Sequence, residues 1–367
     1  MSEPPRRRSA QPSRHLTGRY RADAFLPVHR GLPDERPQRP GCFLLAGLLI
    51  AVASAALTAL VMLFLRPSPV AANNAIWLGI RWGEAAHTEE EVRNLANLLR
   101  VNGIDTAYVW TSWLQEDGTW SETTFDHLGG FVGQFRRVYP EARLYAWIGL
   151  PVEVPAYRLD DEAVRSEVAA FCQRAIAEFG FDGLHLNAEP IWDGDENYPT
   201  LLREIRQTLG VEIPISVAVP PDWNTGAPGI PVGPYTTPGA MWSQEYKQRI
   251  ALLADEIVVM AYNSGLSSPQ DYEIWMAFQV TQFVSAIAPL EAGTRLLFGI
   301  PTYDAEPPGH DPAAETVQAA ITGIQRGIGQ SGADADMVRG IGIYAEWSTD
   351  VSEWMTYRRL WLGQDDG

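Results

Sequence analysis

Phe181-Asp182-Gly183-Leu184-His185-Leu186-Asn187-Ala188-Glu189-Pro190 is the stretch on which the reading of this chain turns. From Gly183 to Glu189 polar and apolar residues alternate, as in a β-strand, where successive side chains point to opposite faces. His185, Asn187 and Glu189 therefore share one face, and Leu184, Leu186 and Ala188 the other. In a barrel wrapped by helices the apolar set packs outward on the helices and the polar set faces inward. Three inward polar groups are costly to desolvate without partners. In barrels such groups gather at the C-terminal mouth, where sites are built. The plainer alternative is a buried hydrogen-bond network that only fixes the core.

On either side of this strand, short apolar strands alternate with amphipathic helical stretches at intervals of about 30 to 40 residues, the βαβ pattern. The other strands are read at Ile76-Trp77-Leu78-Gly79-Ile80, Thr106-Ala107-Tyr108-Val109-Trp110, Leu144-Tyr145-Ala146-Trp147-Ile148, Ile215-Ser216-Val217-Ala218-Val219, Ile257-Val258-Val259-Met260-Ala261-Tyr262, Leu296-Leu297-Phe298-Gly299-Ile300 and Ile341-Gly342-Ile343-Tyr344-Ala345. Between them, Thr88 and Glu91 form a capping box ahead of Val92, Leu95, Leu98 and Leu99, and Gly103 ends that helix. Val164, Val168, Phe171, Cys172, Ala175, Ile176 and Phe179 fall on one helical face. Asp311 and Pro312 are read as the start of a helix carrying Val317, Ile321 and Ile324. Eight strand-helix units predict an α/β fold, a (β/α)8 TIM barrel. The alternative is an open doubly wound sheet. It ranks behind because Gly79-Ile80-Arg81-Trp82-Gly83, after the first strand, is too sparse for a dinucleotide fingerprint.

The segment around the fourth strand resembles the Asp-Gly-x-Asp-x-Asp-x-Glu signature of family 18 glycoside hydrolases, the chitinases and their relatives, with Asp182, Gly183 and Glu189 in place. His185 and Asn187 stand where that signature has its other two aspartates. The Asn187-Ala188-Glu189 run is similar to the Asn-x-Glu pair of family 85 endo-β-N-acetylglucosaminidases. Met260-Ala261-Tyr262-Asn263 resembles the sixth-strand Met-x-Tyr-Asp of family 18, with Asn263 for the aspartate. Phe298-Gly299-Ile300-Pro301-Thr302-Tyr303 resembles its seventh-strand Gly-x-Pro-x-Tyr, and Trp347 falls where the family keeps the tryptophan that floors the sugar site. The likeness runs in family order over about residues 75 to 350. It lacks the third-strand Ser-x-Gly-Gly, for which this chain has Tyr145-Ala146-Trp147-Ile148-Gly149-Leu150.

The resemblance implies a glycosidase for β-linked N-acetylglucosamine. Glu189 would be the acid and base, Asn187 would orient the substrate acetamide, and Tyr262 would donate a hydrogen bond to the acetamide oxygen, which acts as nucleophile. Asp182, His185, Asn263, Trp347, Trp110, Trp147 and Tyr303 complete the expected sugar-binding set. An acid needs an apolar surround to raise its pKa, which Trp110, Trp147 and Trp347 would supply. Two alternatives stay open. One is a two-carboxylate glycosidase pairing Glu189 with Asp304 or Glu346. The other is an inactive carbohydrate-binding barrel, for which the replacements at His185, Asn187 and Asn263 speak.

The composition agrees with one large core: 367 residues, 46% hydrophobic and 20% charged. The net charge of -17 is unevenly spread, since nine Arg and four acidic residues lie before residue 41, leaving about -22 for the rest. So acidic a chain excludes nucleic acid as a partner. No cofactor or metal is implied, because the six His never group at ligand spacing. The Asp193-Gly194-Asp195-Glu196-Asn197 run lacks EF-hand spacing and reads as a solvated turn. Trp242 and Trp275 read as packing, and Cys172 as a small core residue.

The 24 residues from Cys42 to Leu65 carry no charge, enough to cross a bilayer core of roughly 30 Å. An Arg-rich flank before them predicts a cytoplasmic N-terminus and an extracytoplasmic barrel in the cell membrane. A cleaved signal peptide ending near Val70-Ala71-Ala72 is the rival, but the apolar run and its flank are long for one. The expected plan is a disordered basic tail over 1–40, a transmembrane helix over 41–66, a linker over 67–74 and the barrel over 75–367. The partners expected are a membrane and an N-acetylglucosamine-containing polysaccharide such as peptidoglycan or chitin.

Overall fold

The computed structural model describes residues 73–152, 159–222 and 241–364. The expected tail and membrane helix lie outside these. Among the described residues no helix is long and apolar enough to cross a membrane.

Eight parallel strands close into a barrel in sequence order: β1 (Asn74–Leu78), β2 (Ile104–Trp113), β3 (Arg143–Pro151), β4 (Gly183–Glu189), β5 (Ile215–Val219), β6 (Glu256–Met260), β7 (Arg295–Pro301) and β8 (Val338–Tyr344). Because β1 pairs with both β2 and β8, the open doubly wound sheet is excluded. Eight parallel strands need crossovers, and the helices α1 (Arg81–Glu84), α2 (Glu89–Val101), α3 (Phe125–Val138), α4 (Glu162–Ala177), α5 (Asn197–Leu209), α6 (Gln244–Ala251), α7 (Pro269–Ile287) and α8 (Val317–Ser331) lie within them, while α9 (Val351–Tyr357) follows β8.

Local signals start and stop these helices. Thr88 accepts from the Glu91 amide while Glu91 reaches back to Thr88, so the capping box opens α2 as its residues predict. Gly103, at φ 60°, follows the end of α2 in the left-handed conformation that glycine adopts without penalty. The start of α8 differs from expectation: its N-cap is Thr316, which accepts from Ala319. The Asp311 carboxylate instead accepts from the Ala313 amide in a preceding turn. Asp311-Pro312 carries the same type of signal, but its turn closes before the apolar stripe begins. The turn at Asp193 is tied into the fold, with Asp195 capping the amides of Asn197 and Tyr198.

The apolar residues form two cores. The larger lies between strands and helices, where Ile76, Val109, Leu184, Leu186, Val217 and Phe298 meet helical residues such as Phe135, Phe171 and Trp275. Cys172 and Trp242 are buried here as well. The smaller fills the barrel and is mainly aromatic: Trp77, Tyr108, Tyr145 and Trp147 with Ala75, Val258 and Leu297. Such large rings fit because the facing strands carry glycine. A Cβ at Gly342 would stand 2.8 Å from Trp77, and one at Gly299 would stand 3.2 Å from Tyr262.

The closed end of the barrel is held by carboxylates. Asp182, just before β4, accepts from the Leu144 amide at 2.9 Å and from Arg136 at 2.5 Å. Asp255, just before β6, accepts from the Ile215 amide at 2.8 Å and from Arg206 at 2.5 Å. Each carboxylate satisfies a backbone amide at the start of a neighbouring strand and so helps set register.

Candidate active site

β4 runs from the closed end to the mouth, and the polar residues from Asp182 to Glu189 meet three environments. At the closed end, Asp182 lies about 23 Å of strand away from Glu189, at roughly 3.3 Å per residue. Its carboxylate is taken by Arg136 and Leu144. That distance keeps it out of any ligand site at the mouth, so it fastens the barrel rather than binding sugar.

In the middle of the barrel, His185 is fully buried. Its Nε2 accepts the indole N–H of Trp77 at 3.1 Å, and its Nδ1 lies 2.9 Å from the Ser216 hydroxyl. Tyr108 stacks on the ring at 3.8 Å. With Nε2 accepting, the proton sits on Nδ1 and the neutral ring is satisfied on both sides. Burial holds its pKa down to about 3. His185 is a core residue that supports Trp77 and does not itself line the mouth pocket.

At the mouth, Asn187 and Glu189 line a pocket of about 480 Å³ with Trp77, Trp147, Tyr262, Asn263, Tyr303, Tyr344 and Trp347. Glu189 is solvent-accessible through the opening. Even so, enough protein surrounds it that desolvation raises its carboxyl pKa, an effect opposed by a hydrogen bond from Asn187. The Asn187 Oδ1 and the Trp147 indole nitrogen are buried without a protein partner. An unpaired buried polar atom costs free energy, and both of these belong to residues that line the pocket.

Aromatic rings form the wall beyond Glu189. Tyr262 stacks on Tyr344 at 5.2 Å, and Tyr303 meets Tyr262 edge-on at 6.4 Å. Burial is the main cause that pushes the Tyr262 phenol well above its ordinary pKa, with nearby Tyr344 and Glu189 adding to it. The phenol therefore stays protonated and remains a donor. Trp347, 49% exposed, leans over the opening with its edge against Gly79. Tyr303 donates to the Asn263 Oδ1 at 2.5 Å.

Of the residues expected from the sequence, the fold brings Asn187, Glu189, Tyr262, Asn263, Tyr303, Trp147 and Trp347 to one pocket. Trp110 stands behind it, edge-on to Trp147 at 4.6 Å. The carboxylate of Glu346 accepts from Arg81 and, at 3.2 Å, from the Trp82 indole, and does not line the pocket. Asp304 lines a separate cavity of about 340 Å³ with Asp350 and Glu353. Among the described residues no group of three or more His, Cys, Asp or Glu is placed to hold a metal ion.

Two aromatic lining residues, Trp77 and Tyr344, escaped the sequence reading. They sit on β1 and β8, which are buried on both faces. With no polar alternation, the sequence does not say which side chains point inward. Parity counted from the mouth of β8 is the one signal that marks Tyr344.

The eight strands closed in sequence order define a (β/α)8 barrel, a fold shared with solved chitinases. Solved structures with this fold include the spore cortex-lytic enzyme SleL of Bacillus cereus, at 12% identity over 79% of this chain and 74% of that one, TM-score 0.55. A class V chitinase of Pseudomonas fluorescens matches at 14% identity over 78% and 98%, TM-score 0.52. The class V chitinase of Nicotiana tobaccum in complex with NAG4 matches at 14% over 79% and 99%, TM-score 0.53. At such identities the likeness is one of fold. No protein-family model and no curated protein matches the sequence.

Proposed function

We propose that this chain is a glycosidase that cleaves β-linked N-acetylglucosamine-containing glycans, such as peptidoglycan or chitin, by substrate-assisted retaining catalysis. The observation that carries the reading is Glu189: a carboxylic acid with raised pKa, bonded to the Asn187 amide, beside the protonated Tyr262 in one pocket. The activities named for the structural neighbours, chitinases and a spore cortex-lytic enzyme, favour the same class of substrate.

Glycoside cleavage requires protonation of the departing oxygen and stabilisation of an oxocarbenium-like carbon. In this reading Glu189 gives its proton to the glycosidic oxygen as the substrate's acetamide oxygen closes on the anomeric carbon. The Asn187 Oδ1, free of protein partners, accepts the acetamide N–H and so turns the acetamide oxygen toward that carbon. Tyr262 donates to this oxygen, and Trp347 floors the ring. The Glu189 carboxylate then takes a proton from a water that opens the cyclic intermediate, and configuration is retained.

Anchoring of the barrel at the outer face of a cell membrane is part of the proposal, supported by the uncharged run Cys42 to Leu65 and the Arg-rich flank before it. The second reading, an inactive sugar-binding barrel, is favoured by Asn187 and Asn263 at positions where the resembled signature has aspartate. The deciding experiment incubates the purified chain with N-acetylchitooligosaccharides and with peptidoglycan. Release of sugar that Glu189→Gln abolishes supports the hydrolase. Binding without turnover on either substrate supports the binder.

A further inference from the structure

Glu346, just past the end of β8, takes no part in the proposed chemistry, yet its side chain is only 6% exposed. Its polar contacts run to one short segment, the corner that leads from β1 into α1. The Glu346 amide donates to the Trp77 carbonyl at 3.1 Å. The carboxylate accepts from the Arg81 guanidinium and, at 3.2 Å, from the Trp82 indole N–H. Arg81 also lies over the Trp82 ring at 4.6 Å, so cation, indole and carboxylate close into a triangle. Trp82 is a fixed donor, because its buried ring packs on Phe131 at 5.3 Å and on His87 at 4.6 Å.

The same corner receives the side chain of the next residue. The Trp347 ring lies so close over Gly79 that a Cβ there would stand 2.9 Å from the indole. The segment from Trp77 to Trp82 thus gives Glu346 a carbonyl, a cation and an N–H donor, and gives Trp347 a bare backbone surface. On its other side the turn is tied to the end of β7. The Thr302 amide donates to the Tyr344 carbonyl at 2.9 Å, and the Thr302 hydroxyl to the Ala345 carbonyl at 3.2 Å.

Trp347 lines the mouth pocket and is 49% exposed. A half-exposed indole on a loose turn would sample several rotamers and lose that freedom when a ligand binds, which lowers affinity. A ring already held in place avoids that loss. The Arg81–Glu346 pair adds little to stability, because its Arg81 arm is 55% exposed. Its consequence lies in where it sets residue 346, and with it the ring that follows.

We propose that Glu346, gripped by Arg81 and Trp82, is a positioning residue that presets Trp347 at the mouth pocket to receive a saccharide ring. The inference rests on the glycan reading of the pocket. A grip that merely fastened the turn to the barrel would act alike whether or not residue 347 carries an indole, whereas a positioning residue acts only through that ring.

The test measures calorimetric binding of the N-acetylglucosamine tetramer to the full chain carrying Glu189→Gln, so that turnover does not interfere. In this parent Arg81→Ala is expected to weaken binding about fivefold and Glu346→Ala about tenfold, with Arg81→Lys recovering part of the loss. Each substitution is repeated in a Trp347→Ala background, where a further loss of less than about twofold is expected. Arg81 is an exposed side chain whose removal the fold tolerates, so Arg81→Ala decides the matter alone if Glu346→Ala does not fold. Parent-like binding in Arg81→Ala, or an equal loss with and without the indole, overturns the positioning role while the glycan reading stands. Tetramer binding that Trp347→Ala leaves unchanged does the same. Absence of binding by the parent overturns both.

Discussion

The indole N–H of Trp77 donates to His185 Nε2 across 3.1 Å, which ties a ring that lines the mouth pocket to a neutral imidazole in the middle of the barrel. Protonating His185 would place a second hydrogen where Trp77 already donates and would charge a group with no exposed surface. Burial holds the pKa at about 3, against an ordinary 6.5.

As pH falls below 6.5, the unfolded chain takes up a proton at residue 185 that the folded chain refuses until about 3. The stability His185 contributes is thus fully present above 6.5 and is lost toward pH 3, at up to about 1.4 kcal/mol per pH unit. Urea unfolding of the parent and of His185→Gln at several pH values between 6.5 and 4 should show the steeper decline in the parent. Parallel declines would mean that the imidazole is not held neutral.

Because the Glu189 pKa is raised by desolvation, the proton it donates should persist to a higher pH than that of an ordinary carboxyl. The pH profile of kcat/KM is expected to fall on its alkaline side as Glu189 ionises. Glu189→Gln should lower kcat by about a hundredfold to ten-thousandfold with the circular dichroism spectrum unchanged. Equal rates in the two proteins would remove Glu189 from the chemistry.

The Asn187 amide donates to Glu189 and so favours its ionised form. Replacing it by Asn187→Asp puts a second carboxyl in its place, and like charges disfavour double ionisation. The alkaline limb of the pH profile is then expected to move to higher pH. Movement in the opposite direction would show that residue 187 does not face the Glu189 carboxyl.

Gly79 lies under the edge of Trp347, where an added Cβ would stand 2.9 Å from the indole. Gly79→Ala should tilt the ring and weaken tetrasaccharide binding about tenfold. The substitution should add nothing in a Trp347→Ala background, because both changes act through the same ring. Fluorescence titration of the two single variants and the double variant reads this directly. Independent, additive losses would separate Gly79 from Trp347.

The arrangement of the chain was legible from its residues because it rests on local rules. The alternation in β4, the Thr88–Glu91 capping box and the helical stripe from Val168 to Ala175 each need only neighbours a few positions away. Repeated at steady spacing, they specify eight strand-helix units, and β4 and β5 were read with the bounds they have in the fold. The inward row of His185, Asn187 and Glu189 was equally readable, since parity along a strand is a property of the backbone.

What the tertiary structure alone decided is the fate of each polar residue of the Asp182 to Glu189 segment and the identity of the groups around it. The sequence placed Asp182, His185, Asn187 and Glu189 in one series. The barrel separates them along its axis, leaving the first as a staple at the closed end, the second as a neutral core group and the last two at the mouth. Trp77 and Tyr344 join the pocket through pairings between β1 and strands far away in sequence, and Glu315 reaches Asn263 across 52 positions. Depth within a closed barrel and contact between distant strands are set by register and closure, which belong to the sheet as a whole and to no segment of it.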